Sequence, residues 1–169
     1  MGDVFIERMV KKKFDTKDIL IIVGIVLAVM VLMPILLLLS MQYGLFMIGL
    51  LAAAGLVFGG YKLLTMRMLE YEYSLTNGYI SIDKIMNRSS RKRMTAFECS
   101  SAEDIGVYTQ AEARLKNRSF DSRIFAVRTA ACEGSWYMIV QSSKTGKTLV
   151  VFDPDEDLQE AIKKFIPRT

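Results

Sequence analysis

The chain has 169 residues, 51% of them hydrophobic and 24% charged, with a net charge of +4 and a mean hydropathy of +0.26. That is too apolar for an ordinary soluble domain and too charged for a chain wholly inside a bilayer, so a two-part molecule is required. With no histidine and only two, widely spaced cysteines, Cys99 and Cys132, the composition excludes histidine-based catalysis, histidine metal sites and a disulfide framework. From Met68 onward 15 Lys and Arg face 14 Asp and Glu, so the basic excess lies on the flanks of the apolar block, not on the folded domain. Nucleic-acid binding, which needs a basic stripe on the fold, is not expected.

Residues 1–18 precede the apolar block. Phe5, Ile6, Met9 and Val10 share one side of a helical wheel opposite Asp3, Glu7 and Lys11, which suits an interfacial helix. The simpler and preferred reading is that Lys11, Lys12 and Lys13 only anchor the chain at the membrane surface.

No charged residue occurs from Ile19 to Tyr61. The run at 19–39, ILIIVGIVLAVMVLMPILLLL, gives about 30 Å of helix, enough to cross the hydrocarbon core. A second run, at 44–64, follows after only SMQY, so it must return antiparallel. No A-x-A site follows the first run, which argues against a cleaved signal peptide, and Ile6 breaks the myristoylation pattern begun by Met1-Gly2. Lys11, Lys12 and Lys13 are among five Lys and Arg before the first span, Lys62 and Arg67 close the second, and the turn has none, so both termini are expected in the cytoplasm. Reduced cysteines agree with that compartment. Ala52, Gly55 and Gly59 form a small-residue stripe suited to close helix packing, against the first span of the same chain or against a second copy or partner. Pro34 is expected to free the carbonyl of Met30. The spans hold no Asp, Glu, Lys or Arg before Lys62, which argues against a transporter.

The domain at 68–169 reads as mainly β. Asn77-Gly78 between β-prone runs predicts a type I′ hairpin in which Leu75 faces Ile80 and Tyr73 faces Ile82 on the core side. The same register sets Glu72 opposite Asp83, expected as a solvated pair on the outer side. Further strands are expected around RMTAFEC, IGVYT, RIFAVRTAA, SWYMIVQSS and KTLVVFD, about seven antiparallel strands in all, with RIFAVRTAA joined to SWYMIVQSS through CEG. TQAEARLKNRS is either a loop or a short helix. One of Trp136 and Tyr137 should face inward and the other outward. DPDEDLQEAIKKFIP is a helix with Asp153 as N-cap, Pro154 at the first position, a stripe of Leu158, Ala161, Ile162 and Phe165, and Pro167 at its end. It is expected to close the open end of the barrel or sandwich.

The two close-set spans, then YEYSLTNGYISIDKI, the basic NRSSRKRM and the final strand and helix, resemble bacterial membrane-anchored proteins with a pleckstrin-homology-like (PH-like) domain. More narrowly, the layout is similar to that of a small bacterial family known as a domain of unknown function. The resemblance implies a membrane helical hairpin followed by a mainly-β PH-like barrel or sandwich with a capping helix, and binding or scaffolding instead of chemistry.

Arg88, Arg91, Lys92 and Arg93 are the densest charge cluster, expected in a loop; the plainer reading is a solvated loop, the sharper one a contact with anionic lipid or with an acidic partner. SKTGKT at 143–148 imitates a phosphate loop, but Gln141 stands where its first glycine belongs and strands flank it, so a turn with Gly146 at positive φ is expected. Serine and cysteine nucleophiles have no base partner. The sequence thus predicts no catalytic residue, no metal and no cofactor. Its expected partners are the lipid bilayer and a protein partner or a second copy, with no small-molecule substrate evident.

Overall fold

The computed structural model describes residues 4–87, 89–142 and 145–166. The chain divides into two compact units. One is the segment Phe14–Met68; the other joins the residues before it to those after it.

The second unit is a sandwich of two four-stranded sheets. Sheet A is an antiparallel meander of β1 (Phe5–Lys11), β2 (Leu69–Thr76), β3 (Tyr79–Met86) and β4 (Ser90–Glu98). Its β2–β3 register sets Leu75 opposite Ile80, Tyr73 opposite Ile82 and Glu72 opposite Asp83, as the Asn-Gly turn predicts. Asn77 and Gly78 have φ of 49° and 87°, the pair of positive values a type I′ turn demands. A Cβ at Gly78 would also lie 2.8 Å from the ring of Phe165, so no larger residue fits there.

β1 overturns the interfacial-helix reading over Phe5–Lys11. The segment is a strand paired with β2 from Phe5 opposite Thr76 to Lys11 opposite Glu70, not an interfacial helix. Ile6 and Val10 turn into the core, while Phe5, Glu7, Met9 and Lys11 turn out. Residues 5, 6, 9 and 10 satisfy a helical wheel, yet 6 and 10 also satisfy a two-residue period. Pairing with β2 decides between them.

Sheet B is ordered β5 (Ala102–Val107), β7 (Trp136–Ser142), β8 (Gly146–Phe152) and β6 (Ser122–Ala126). β6 runs parallel to β8, so the expected all-antiparallel order fails there. The connection from β6 to β7 does not form a hairpin; it crosses β8, with Cys132 and Gly134 at positive φ. TQAEARLKNRS contains a helix, α3 (Tyr108–Lys116) in the numbering that counts the two membrane-type helices as α1 and α2. α3 covers the outer side of sheet B: Tyr108, Ala111 and Leu115 pack with Tyr137, Ile139, Leu149 and Val151. Sheet B is therefore buried on both faces. Tyr137 is buried on the α3 side and Trp136 packs partly against the inter-sheet core, so neither side chain is simply outward.

The inter-sheet core contains Tyr73, Leu75, Ile80, Ile82 and Phe97 from sheet A and Met138, Val140, Val150 and Phe152 from sheet B. Tyr73 bridges the sheets: its hydroxyl donates to the Ala126 carbonyl, accepts from the Asp153 N–H at 3.3 Å, and its ring meets Phe152 edge-on at 5.8 Å. The last helix, α4 (Glu156–Phe165), closes the sandwich with Leu158, Ala161 and Ile162. Its N-cap is Asp155, which accepts from the Leu158 N–H at 3.0 Å, and not Asp153. The Asp153 carboxylate is already taken by Ser135 Oγ and the Arg128 N–H, so the helix starts later than expected. Arg8 of β1 reaches both Asp155 and Asp157, tying the first strand to the last helix. The sheets do not close into a barrel. Pro167 and the turn tip at 143–144 lie outside the described residues, although Gly146 does have the expected positive φ of 65°.

The first unit is a helical hairpin of α1 (Thr16–Gln42) and α2 (Phe46–Thr65), both long and apolar enough to cross a membrane. Asp15 caps α1 in a capping box with Asp18. α1 runs through Pro34 without interruption. At the base of the hairpin Arg67 Nη1 lies 3.6 Å from the Asp18 carboxylate. The small residues of α2 that meet α1 are Gly49, Ala53 and Gly60. A Cβ on Gly49 would sit 1.9 Å from Ser40 Oγ, and one on Gly60 2.9 Å from Val29 Cγ2. A Cβ at Gly55 or Gly59 would meet nothing within 4 Å, and Ala52 is exposed, so the predicted stripe is not the one that receives α1.

Candidate functional site

Sheet A has one face in the core and one covered by no other element of the sandwich among the described residues. Its register arranges the uncovered face in four rows. Phe5, Thr76, Tyr79 and Glu98 form the first; Glu7, Ser74, Ser81 and Ala96 the second; Met9, Glu72, Asp83 and Arg93 the third; Lys11, Glu70, Ile85 and Arg91 the fourth. Phe5, Met9 and Tyr79 are 64%, 61% and 46% exposed, so this face offers apolar contact area. The second row carries three small side chains, Ser74, Ser81 and Ala96, beside Glu7.

The third and fourth rows carry the charges. Glu72 and Asp83 are not solvated, as the sequence suggests, but buried, each 4% exposed. Arg91 reaches Glu72, and Arg93 Nε bonds Asp83 Oδ1 at 3.0 Å. The basic cluster is therefore not a loop: Arg91, Lys92 and Arg93 lie on β4, and Arg88 falls outside the described residues. A bulge between Ile82 and Asp83 of the β3–β4 ladder turns Arg93 to the same side as Asp83. Stripping a buried carboxylate of its partner costs about 3–5 kcal/mol, against about 1 kcal/mol gained by a cation near an anionic leaflet. The two arginines belong first to their acids. Burial nevertheless raises the Glu72 carboxyl above its ordinary 4.5, with Arg91 opposing and Glu7 and Asp83 adding to the rise.

Both connections to the helical unit leave sheet A from the fourth-row end. Lys11 ends β1 opposite Glu70, the Lys12 N–H donates to the Leu69 carbonyl at 2.9 Å, and Leu69 starts β2. The β3–β4 turn lies at that same end, with Leu69 opposite Met86 and Met86 opposite Ser90. The register thus brings Lys11, Lys12, Arg91 and Lys92, which are far apart in sequence, to one edge of the sandwich. A recess of about 620 Å³ opens there, lined by Met9, Lys11, Glu70, Ile85, Ser89 and Arg91. Lys13 joins through a 2.7 Å bond from its N–H to the Arg128 carbonyl. Lys62 and Arg67 are part of the helical unit, Lys62 on α2 and Arg67 just beyond it.

Lys84 was not singled out by sequence. It stands on β3 directly opposite Lys92. The Asn-Gly turn fixes β3 against β2, but the partner of Lys84 on β4 depends on the bulge, which no residue pattern announces.

Among the described residues no group of three or more Cys, Asp or Glu could hold a metal. Burial pushes the Cys99 thiol up to about 12 and raises that of Cys132, so neither is a ready nucleophile. No curated protein and no solved structure matches the chain. Residues 2–169 match a family described as a bacterial PH-like domain (DUF6106).

Proposed function

The chain belongs to the bacterial PH-like domain family DUF6106, and from that premise we propose that it is a non-enzymatic, membrane-anchored scaffold that offers its sandwich to a protein partner at the cytoplasmic face of the inner membrane. The observation that carries this reading is the insertion of the helical hairpin between two paired neighbouring strands. Residues 12–15 join β1 to α1, and residues 66–68 join α2 to β2. A domain on one tether can spin about it; a domain on two short tethers from adjacent strands cannot. Restricted rotation suits a surface that must meet a partner in a set direction, because less orientational freedom is lost on binding. The uncovered face of sheet A, with exposed Phe5, Met9 and Tyr79 in the rows on either side of Ser74 and Ser81, is the surface this reading assigns to the partner.

The test is site-specific photo-crosslinking in native membranes, with p-benzoylphenylalanine in place of Tyr79 or Phe5 in the full chain. Discrete protein adducts are expected from both positions, and none from the exposed Gln110 on α3. Adducts to lipid alone, or an equal yield from Gln110, would show that sheet A does not present the partner surface. The other reading, anionic-lipid sensing through the stretch 88–93, draws support from Lys92, since Arg91 and Arg93 are held by acids.

A further inference from the structure

Lys84 and Lys92 are cross-strand neighbours on the core-facing side of sheet A, in the row Val10, Tyr71, Lys84, Lys92. Among the described residues neither has an ion-pair or hydrogen-bond partner. Like charges directly opposite on neighbouring strands are destabilising. The other acids near this end of the sheet are engaged elsewhere: Glu70 lies 4.0 Å from Lys11 and Glu72 holds Arg91.

The position of the pair is as telling as its charge. Further from the connections the inward side of sheet A is apolar, with Tyr73, Leu75, Ile80 and Ile82. At the end where both connections leave, inward-facing positions become Lys12, Lys84 and Lys92, with Lys84 half-buried and Lys92 exposed. Arg91 and Lys11 occupy the outward side of that end. The sandwich thus ends in cations on both faces, on the strands that lead into the spans. Three residues lie between Lys12 and Thr16, the first residue of α1, so the link spans at most ~14 Å of chain.

We propose that this edge rests on the anionic headgroups of the cytoplasmic leaflet, with Lys84 and Lys92 as the contact that sets the tilt of the sandwich. A phosphate-bearing surface supplies the counter-charge the fold withholds, and it is already within tether reach. The inference goes beyond scaffolding: it concerns what holds the platform down, not what the platform receives, and it shares no contact residue with the Tyr79 face.

The experiment uses the full chain in nanodiscs of phosphatidylcholine alone or mixed with phosphatidylglycerol. A fluorophore is attached to a single reporter, Ser90→Cys, at the start of β4; native Cys99 and Cys132 are buried. Quenching by a headgroup-spin-labelled lipid reports docking. Quenching should be stronger in the anionic discs and weaken with salt. The docked-to-free ratio should fall about fivefold for each lysine removed in Lys84→Gln and Lys92→Gln. In neutral discs the double variant should unfold at the same temperature as wild type or higher, because a repulsive pair is gone. Equal quenching in both disc types overturns the proposal, as does an anionic-lipid effect that survives the double variant. A loss of stability of the double variant in neutral discs would show the lysines to be structural and overturns it too. Cross-linking from Tyr79 is indifferent to all three outcomes, so either reading can fail alone.

Discussion

Glu72 shows how strongly one side chain can depend on a partner two strands away. Its carboxylate is buried on the outer side of a sheet and is held by Arg91. Because burial raises its folded pKa above the ordinary 4.5, ionising it costs the folded state more than the unfolded one. Its contribution is fully present below the unfolded value and is lost as pH rises through the folded one. Wild type should therefore gain stability relative to Glu72→Gln as pH falls from neutrality toward ~4.5. Parallel melting curves of the two proteins would measure this, and a difference that stays flat across that range contradicts it. The position of Glu72 opposite Asp83 is legible in the Asn-Gly turn, because a two-residue loop leaves one register. Its burial is not, because that depends on arginines delivered by a strand whose bulge the sequence does not mark.

At the scale of the element, the helical hairpin separates two stripes of small residues that a periodicity cannot rank. Gly49, Ala53 and Gly60 face α1; Ala52, Gly55 and Gly59 do not. Gly49, Ala53 and Gly60 are four and seven apart and Ala52, Gly55 and Gly59 three and four, so both fit a helical face, and which one receives α1 depends on the phase set by the turn at Gly44, where φ is 69°. Gly60→Leu should push the helices apart, since even a Cβ comes within 2.9 Å of Val29, whereas Gly55→Leu should be tolerated. A disulfide engineered between the spans should form poorly in the first variant and normally in the second; equal yields would refute the assignment. The helices themselves were plain in the sequence, because an uncharged run of that length has few other uses. β1 was not, since its seven residues have no periodicity long enough to exclude a helix and its pairing partner lies beyond both spans. α4 was legible in its apolar stripe but not in its cap, because Asp153 is claimed by a loop distant in sequence.

For the whole molecule the decisive feature is that the sandwich is discontinuous in sequence. A fragment beginning at residue 68 lacks β1, and with it Ile6, Val10 and the Arg8 link to α4. Such a fragment should be unstable or aggregate through the bared edge of β2. Replacing residues 14–67 by a short Gly-Ser turn that keeps β1 should instead give a soluble, cooperatively melting β-protein. The Lys12–Leu69 bond shows that the strand ends are already close enough to be bridged. Circular dichroism and size exclusion of the two polypeptides check this, and a well-folded fragment without β1 would refute it. Fold class was legible because strand alternation, turn and terminal helix agree; the interleaving was not, because an early segment gives no sign that its mate lies past a membrane.

The same interleaving imposes an order on biosynthesis. β1 leaves the ribosome before its mate exists, and the roughly 60 residues between them take several seconds to translate at ~5–20 residues per second. During that wait an unmated strand must stay out of trouble while the spans enter the bilayer. Only when β2 follows on the same side can the strand be claimed. A hairpin in which only one helix crossed would strand the two halves of the sheet on opposite sides of the membrane, so completion of the sandwich is itself a check that both helices went in together.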